Sequence, residues 1–392
     1  MDALAQIRRT DEEVQSALDN CRIHVQKIAQ RRSLEHIEPT SQAAPANSTL
    51  RESMKRKSVT SRDVAKLAGV SQSAVSRTFS PNAKVSERTR KKVMEASREL
   101  GYRPNTIARS LITRSSRTIA VVTYSLQNPF YSFMLEQASR FFQQQGYHLL
   151  LFFAPSSGDF DAVLDDIIRS QVEGVLMLAL TMNEQQARLV ADFGIPMVII
   201  NRTVNDSGIS QVSSDNFQGG YWAGRYLASL GHRRIAYLAG LPDSSTEKQR
   251  RSGFLEGLAS MEASCHAVDV GNYRYEDACQ ATRRLFSDSH PPDALFAAND
   301  LMAIAAMEIL RHEYCMKIPK DVSIIGFDDV PMASWPSHSL TTLQQPVDTM
   351  VMRATELLLE QIAQPDTPPE HITLPVTPML RNSTRRQSDP QR

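Results

Sequence analysis

The sequence predicts a molecule in two parts: an all-α helix-turn-helix head and a two-lobed α/β body with parallel sheets. Three observations carry that reading. Residues 60–100 hold two short capped helical runs joined at a glycine, followed by a third. Residues 118–384 twice repeat an alternation of short apolar runs with segments of helical period. Charge is also divided: from Met54 to Arg117 there are 16 Lys/Arg against 4 Asp/Glu, and over the rest of the chain 28 against 39. A basic block on an acidic body suggests a phosphate-binding module attached to something larger.

In the head, Thr60 and Asp63 stand at capping-box spacing, so a first helix is expected to run to Ala68. Gly69 supplies the turn, Ser71 the next cap, and a second helix is expected over 72–79. Ala65, Leu67, Ala68, Val70, Val75 and Phe79 are its expected core, with Gln72, Ser73 and Arg77 facing outward. This is the spacing of a helix-turn-helix, whose second helix enters the major groove. Arg77 suits guanine O6/N7 and Gln72 suits adenine. A third helix is expected over 87–100, between Ser86 and Gly101, and its Arg88, Arg90, Lys91 and Lys92 suit phosphates. Next, Tyr102-Arg103-Pro104-Asn105 leads into a six-residue helical stretch ending at Leu111. So short a helix is unstable alone. Packed against a copy of itself on DNA it would fold, with Leu111 as an apolar wedge in the minor groove; a plain linker with a buried leucine is the alternative.

In the body, apolar runs at 119–123, 147–153, 174–178 and 197–200 alternate with helical patterns at 133–145, 161–170 and 184–193. A second series follows, with strands at 234–239, 294–298 and 322–327 and helices at 219–230, 249–259 and 301–312. Such alternation implies parallel sheets covered on both faces, and two series imply two lobes with a crevice at the strands' carboxyl ends. The expected limits are 54–103 for the head, 104–117 for a hinge helix and linker, 118–384 for the body and 385–392 for a disordered tail. Residues 1–53 read as a disordered extension, or as sequence ahead of the start codon in use.

Composition narrows the function. Cys21, Cys265, Cys279 and Cys315 form no paired motif, so neither a disulfide framework nor a metal site is expected. The N-terminus has no apolar signal core, and no apolar run is long enough for a bilayer, so a cytoplasmic protein is expected. No G-x-S-x-G, HExxH, P-loop or G-x-G-x-x-G motif is present, and His312-Glu313 lacks a second histidine, so neither an enzyme nor a cofactor is expected.

GVSQSAVSRTF, VSERTRKKV, LGYRPN and IARSL, within residues 59–111, closely resemble the lactose-repressor/galactose-repressor family. The likeness runs to about Thr384 and departs at Thr78-Phe79-Ser80-Pro81, where many members have Val-Leu-Asn. It implies a transcriptional regulator, most often a repressor: a homodimer on a pseudo-palindromic double-stranded operator, with no membrane role. DNA contacts are then expected from Thr60, Ser71, Gln72, Ser73, Ser76 and Arg77, and from Asn105, Ala108 and Leu111 of the hinge. No leucine heptads follow Pro378, which points to a dimer rather than a tetramer.

The body resembles that family's periplasmic-binding-protein-like sensor. The resemblance implies a small, sugar-like effector held by Asn128, Phe130, Tyr131, Arg202, Arg250, Tyr273 and Asp300. Arginine forks bind vicinal hydroxyls or an anionic group, and aromatic rings cover an apolar sugar face. Ser213 to Asn216, Gly326-Phe327-Asp328-Asp329 and 340–346 resemble the interlobe crossings, with a helix returning over 347–363. Operator and effector affinities would then be reciprocally coupled. A transport binding protein and a regulator answering to a protein partner are the alternatives weighed.

Overall fold

A computed structural model describes residues 59–79, 83–103, 115–154, 160–178, 193–204 and 208–385. The extension 1–53, Ser80 and Pro81, the hinge residues Asn105, Ala108 and Leu111, most of the helix expected at 184–193 and the tail beyond 385 lie outside the described residues. The chain forms two compact units, one ending at Pro104 and the other starting at Asn105.

The first unit contains α1 (Ser61–Ala68), α2 (Gln72–Thr78) and α3 (Glu87–Leu100). Each start is a local decision of the sequence. The Asp63 carboxylate accepts from Thr60 N and from the Thr60 hydroxyl at 2.9 and 2.8 Å, and Ser71 and Ser86 accept from Ala74 N and Thr89 N. Each such cap contributes roughly 1 kcal/mol. Gly69 takes the left-handed φ of 65° that ends α1, a conformation that favours glycine. Val64, Ala65, Ala68, Val75, Val93 and Ala96 form the buried centre, with Val70, Phe79 and Tyr102 packed around it. Leu67, expected inside, is 47% exposed. The core stripe of α1 runs through Val64, Ala65 and Ala68, and at roughly 100° per residue Leu67 falls off its edge.

The second unit is α/β. Its first lobe is a parallel six-stranded sheet of order β11-β5-β4-β3-β1-β2, with β1 Thr118–Thr123, β2 His148–Phe153, β3 Gly174–Leu178, β4 Met197–Ile200, β5 Ser210–Ser214 and β11 His371–Leu374. Helices α4 (Pro129–Gln144), α5 (Phe160–Arg169) and α10 (Val347–Ala363) belong to it. The second lobe is a parallel sheet of order β7-β6-β8-β9, with β6 Ile235–Ala239, β7 Cys265–Val270, β8 Ala294–Ala297 and β9 Ser323–Ile325. Its helices are α6 (Asn216–Ser229), α7 (Ser245–Ala259), α8 (Tyr275–Phe286) and α9 (Asp300–His312). A short antiparallel pair, β10 (Thr342–Gln344) and β12 (Thr377–Met379), completes the unit.

Central strands β3, β4, β6 and β8 are buried at every residue, which is why they read as continuous apolar runs. Tyr237, Phe254 and Phe296 stack within the second lobe at centroid distances of 5.1 to 5.4 Å. Each such pair adds about 0.5–1.5 kcal/mol beyond its burial.

Helices α6 and α7 touch backbone to backbone. A Cβ on Gly220 would stand 2.1 Å from Arg250 O, and one on Gly253 would stand 2.0 Å from Phe217 O. Gly224 and Gly257 repeat the contact one turn on, against Phe254 O and Tyr221 O. Four glycines therefore set the separation of the helices that carry Asn216 and Arg250.

Candidate nucleic-acid interface and ligand cleft

On the head, Thr60, Ser71, Gln72, Ser73, Ser76 and Arg77 are all exposed, so the structure brings the six expected contacts that it describes onto open surface. Arg77 Nε donates to Ser73 O at 3.4 Å within its own helix, which holds the guanidinium stem and leaves the two terminal nitrogens for a bidentate acceptor. Arg88, Lys91 and Lys92 are exposed on α3. Arg90, also expected at phosphates, donates to Thr78 O at 3.3 Å and so ties α3 to the end of α2.

In the body, capping residues stand at the carboxyl ends of strands. Asn128, Asp215, Ser244 and Asn299 accept from the first-turn amides of Phe130, Gln218, Glu247 and Met302. Around these ends lie side chains that ordinarily seek water. Arg202, Arg250 and Asp328 are each no more than 4% exposed. Arg250 Nε donates to Asn216 Oδ1 at 2.8 Å and Nη1 to Ala298 O at 2.5 Å, and Nη1 is 3.7 Å from Asp328 Oδ1. Its guanidinium also lies 3.6 Å from the centre of the Phe327 ring. Arg202 sits over Tyr124, and Asn201 Nδ2 donates to Tyr131 OH at 3.3 Å. Tyr273 is buried with its ring against Gly240 and its hydroxyl 3.2 Å from Thr246 Oγ1. Phe130 and Tyr131, expected to hold the effector, are buried edge to face with ring centres 5.5 Å apart.

Asp300 is placed differently. Its two oxygens accept from Thr342 Oγ1 and Val330 N, and a Cβ on Gly326 would fall 2.1 Å from Oδ1. It braces the end of β9. The carboxylate facing Arg250 belongs to Asp328, which sequence reasoning noticed only as part of a crossing. Burial raises the pKa of both acids; the Asp328 charge raises Asp300 further, while Arg250 opposes the rise at Asp328.

Among the described residues the chain passes between the lobes at 214–216, 344–347 and 374–377. These crossings are hydrogen-bonded together. Ser214 Oγ donates to Gln345 Oε1 at 2.7 Å, Gln345 Nε2 donates to Asp328 Oδ1 at 2.7 Å, and Asp215 N donates to Leu374 O at 2.7 Å. Asp328 and Asp329 have φ of 126° and 57°, unusual for residues with a side chain. Asp329 is held there by Arg381 Nη2 at 2.6 Å and Gln344 Nε2 at 2.8 Å. Thus Asp328 touches both a buried cation and the joint between lobes.

Asn201 Oδ1, Asn299 Nδ2 and Glu247 Oε1 are buried and have no hydrogen-bond partner among the described residues. Buried polar atoms are nearly always satisfied, so each of these can accept a further polar partner. A cavity of about 350 Å³ lies between Phe130 and Phe133 of α4 and the crossings at Asp328, Gln345 and Val347. A larger cavity of about 600 Å³ lies on α6 beside Tyr221, Trp222 and Tyr226, and holds none of the expected ligand residues. No helix among the described residues is long and apolar enough to cross a membrane.

Comparison with known proteins agrees with both halves. Residues 60–105 match the family model described as bacterial regulatory proteins, lacI family, and residues 225–384 match a periplasmic binding protein-like domain. The chain is 33% identical over 309 residues to an HTH-type transcriptional repressor PurR of Aliivibrio salmonicida, covering 77% of this chain and 92% of that one. It is 33% identical over 329 residues to the HTH-type transcriptional regulator CelR of Thermobifida fusca, covering 82% and 96%. Among solved structures, the Lac repressor dimer bound to operator and the anti-inducer ONPF superposes with a TM-score of 0.76 at 28% identity, over 84% of this chain and 99% of that one. A CelR–cellobiose complex superposes with a TM-score of 0.63 at 31% identity, over 83% and 99%. The exposed polar face on α2, the charged cleft at the strand ends and these likenesses converge: the chain belongs to the lacI family of bacterial regulatory proteins, and it is a DNA-binding transcriptional regulator rather than an enzyme.

Proposed function

We propose that this regulator is a cytoplasmic repressor, working as a homodimer on a pseudo-palindromic operator, and that a sugar-like small molecule in the body's cleft controls its grip on DNA. The observation that carries this reading is the burial of Arg202, Arg250 and Asp328, together with buried Asn201 and Asn299 atoms that have no partner among the described residues. Buried charge and unpaired polar atoms are costly. A polyhydroxylated ligand offers both donors and acceptors to such a wall. Gln72, Ser73, Ser76 and Arg77 read bases, while Thr60 and Ser71 hold the backbone. Asn105, Ala108 and Leu111 act in the hinge helix, at the limits 104–117 drawn from sequence.

Asn128, Phe130, Tyr131, Arg202, Arg250 and Tyr273 line the ligand site in this reading, with Asp328 as its carboxylate and Asp300 as the brace behind it. Ligand hydroxyls compete for Asp328 with Arg250 and Gln345. Because Gln345 also holds Ser214, a change at Asp328 reaches two crossings at once. The ligand can bias the lobe angle only by the difference in its affinity for the two arrangements. Relatives supply the first probes, since one solved CelR structure is a cellobiose complex and another solved lacI-family regulator, at 27% identity, holds ribose.

Calorimetric titration of the full chain with cellobiose and ribose tests the cleft. Saturable binding of either sugar that is lost in Asp328→Asn is the expected result. If the chain binds operator yet takes up no sugar from a broad panel, control by a small sugar-like ligand is wrong.

A further inference from the structure

The first residue of α1 and the first residue of α2 are joined by a hydrogen bond. Gln72 Nε2 donates to Ser61 Oγ at 3.0 Å. Both residues stand on fixed elements. The Thr60–Asp63 box sets the start of α1, Ser71 caps α2, and Gly69 turns the chain between them. Gln72 is exposed on the face that carries Ser73 and Arg77, whereas Ser61 is half-buried at its edge.

A carboxamide has two N–H donors and one carbonyl acceptor. With the N–H anti to Oε1 held by Ser61, the groove would meet the syn N–H and Oε1 side by side. Adenine presents the matching pair in the major groove, an acceptor at N7 and a donor at N6. Guanine presents two acceptors, N7 and O6, which would set O6 against Oε1. The last dihedral of a glutamine side chain is broad and roughly two-fold. Released from Ser61, the amide can therefore turn its NH₂ toward guanine.

We infer that Ser61 is a positioning residue for base choice: by holding the amide of Gln72, it makes the operator position under Gln72 adenine rather than guanine. This rests on α2 being the recognition helix. Ser61 need not touch DNA to act in this way, and its removal alters one column of the operator, not the whole.

The test is selection of operators from random duplex DNA by the full chain, in parallel for the wild type, Ser61→Ala, Ser61→Thr and Gln72→Ala. The wild type is expected to favour adenine over guanine at least tenfold at one symmetry-related pair of positions. Gln72→Ala flattens that column. Ser61→Ala reduces the preference to threefold or less and leaves the other columns in place, which also shows a folded head. Ser61→Thr, which keeps the hydroxyl, restores the wild-type column. If Ser61→Ala selects the wild-type operator while Gln72→Ala flattens one column, the inference fails and the recognition helix stands. If neither variant alters any column, the recognition-helix reading fails. A general loss of DNA binding by Ser61→Ala with its helical circular dichroism intact, or a failure of Ser61→Thr to restore the column, also overturns it.

Discussion

Replacing Gly220 by alanine puts the account of the body under mechanical stress. The added methyl would sit 2.1 Å from Arg250 O, 2.9 Å from Arg250 C and 3.0 Å from Phe254 N, all backbone atoms that cannot rotate aside. Reaching even the 3.0 Å that real contacts rarely breach requires α6 and α7 to part by about 0.9 Å. Alanine favours the helix by roughly 0.5–1 kcal/mol over glycine. Overpacking of this kind costs about 1–3 kcal/mol and occasionally more. Because the clash meets backbone on both sides, the upper part of that range applies, and a net loss of about 2 kcal/mol is expected. At roughly 2–4 °C per kcal/mol for a domain of this class, the melting temperature falls by about 4–8 °C. Tryptophan fluorescence suits the assay, since Trp222 lies on α6 itself. The shift also moves Arg250, so sugar affinity drops by more than the stability change accounts for at a temperature where the variant is fully folded. A Gly220→Ala protein that melts at or above the wild-type temperature would refute the close-contact argument.

Two further outcomes follow from the buried charges. A carboxyl whose native pKa stands above its unfolded value holds more protons when folded, so stability falls as pH rises through the native value. Asp300 and Asp328 are both raised, whereas burial lowers His232, which works in the opposite sense. Comparing wild type with Asp300→Asn between about pH 5 and about pH 8 isolates Asp300, and the wild type should lose more melting temperature over that range; parallel curves would show that burial does not hold the Asp300 carboxyl above its unfolded value. Arg381→Met leaves the part-buried Asp329 without its cation and is expected to cost about 2 kcal/mol, while Arg140→Ala, at an exposed pair with Glu136, costs less than about 1 kcal/mol. Equal melting temperatures for the two variants would contradict that ordering.

The legible parts of this chain were those with local causes. Thr60, Ser71 and Ser86 announce their helices by hydrogen-bonding the chain next to them, so all three helix starts in the head were readable. Central strands such as Gly174–Leu178 and Met197–Ile200 were readable because burial on both faces leaves continuous apolar runs. Two other strands were not. Cys265–Val270, at a sheet edge, sets His266 and Asp269 among small apolar residues, a pattern too mild to separate from a loop, and β5, inside its sheet, spends serines and a glutamine on fully buried positions. Leu67 was misjudged because hydrophobicity alone, without the exact helix phase, put it inside.

Arg202 and Arg250 were expected at a ligand site from the family resemblance, and both are buried. The buried pair of Arg250 with Asp328 was not legible because the two lie 78 residues apart in the chain, and nothing local signals the pairing. Asp300 and Asp328 each follow a strand end and carry the same side chain. Only the positions of Thr342 and Val330 show that Asp300 is engaged as a brace.

The most direct measurement is fluorescence anisotropy of a labelled operator, obtained by selection with the full chain, titrated with wild type and Asp328→Asn in the presence and absence of a bound sugar. The account predicts sequence-specific binding by both proteins. It predicts a sugar-dependent change in operator affinity of roughly 5- to 150-fold for the wild type, the usual span of allosteric coupling, and none for the variant. Operator affinity indifferent to every sugar that the wild type binds, or an Asp328→Asn protein that responds as the wild type does, would contradict it.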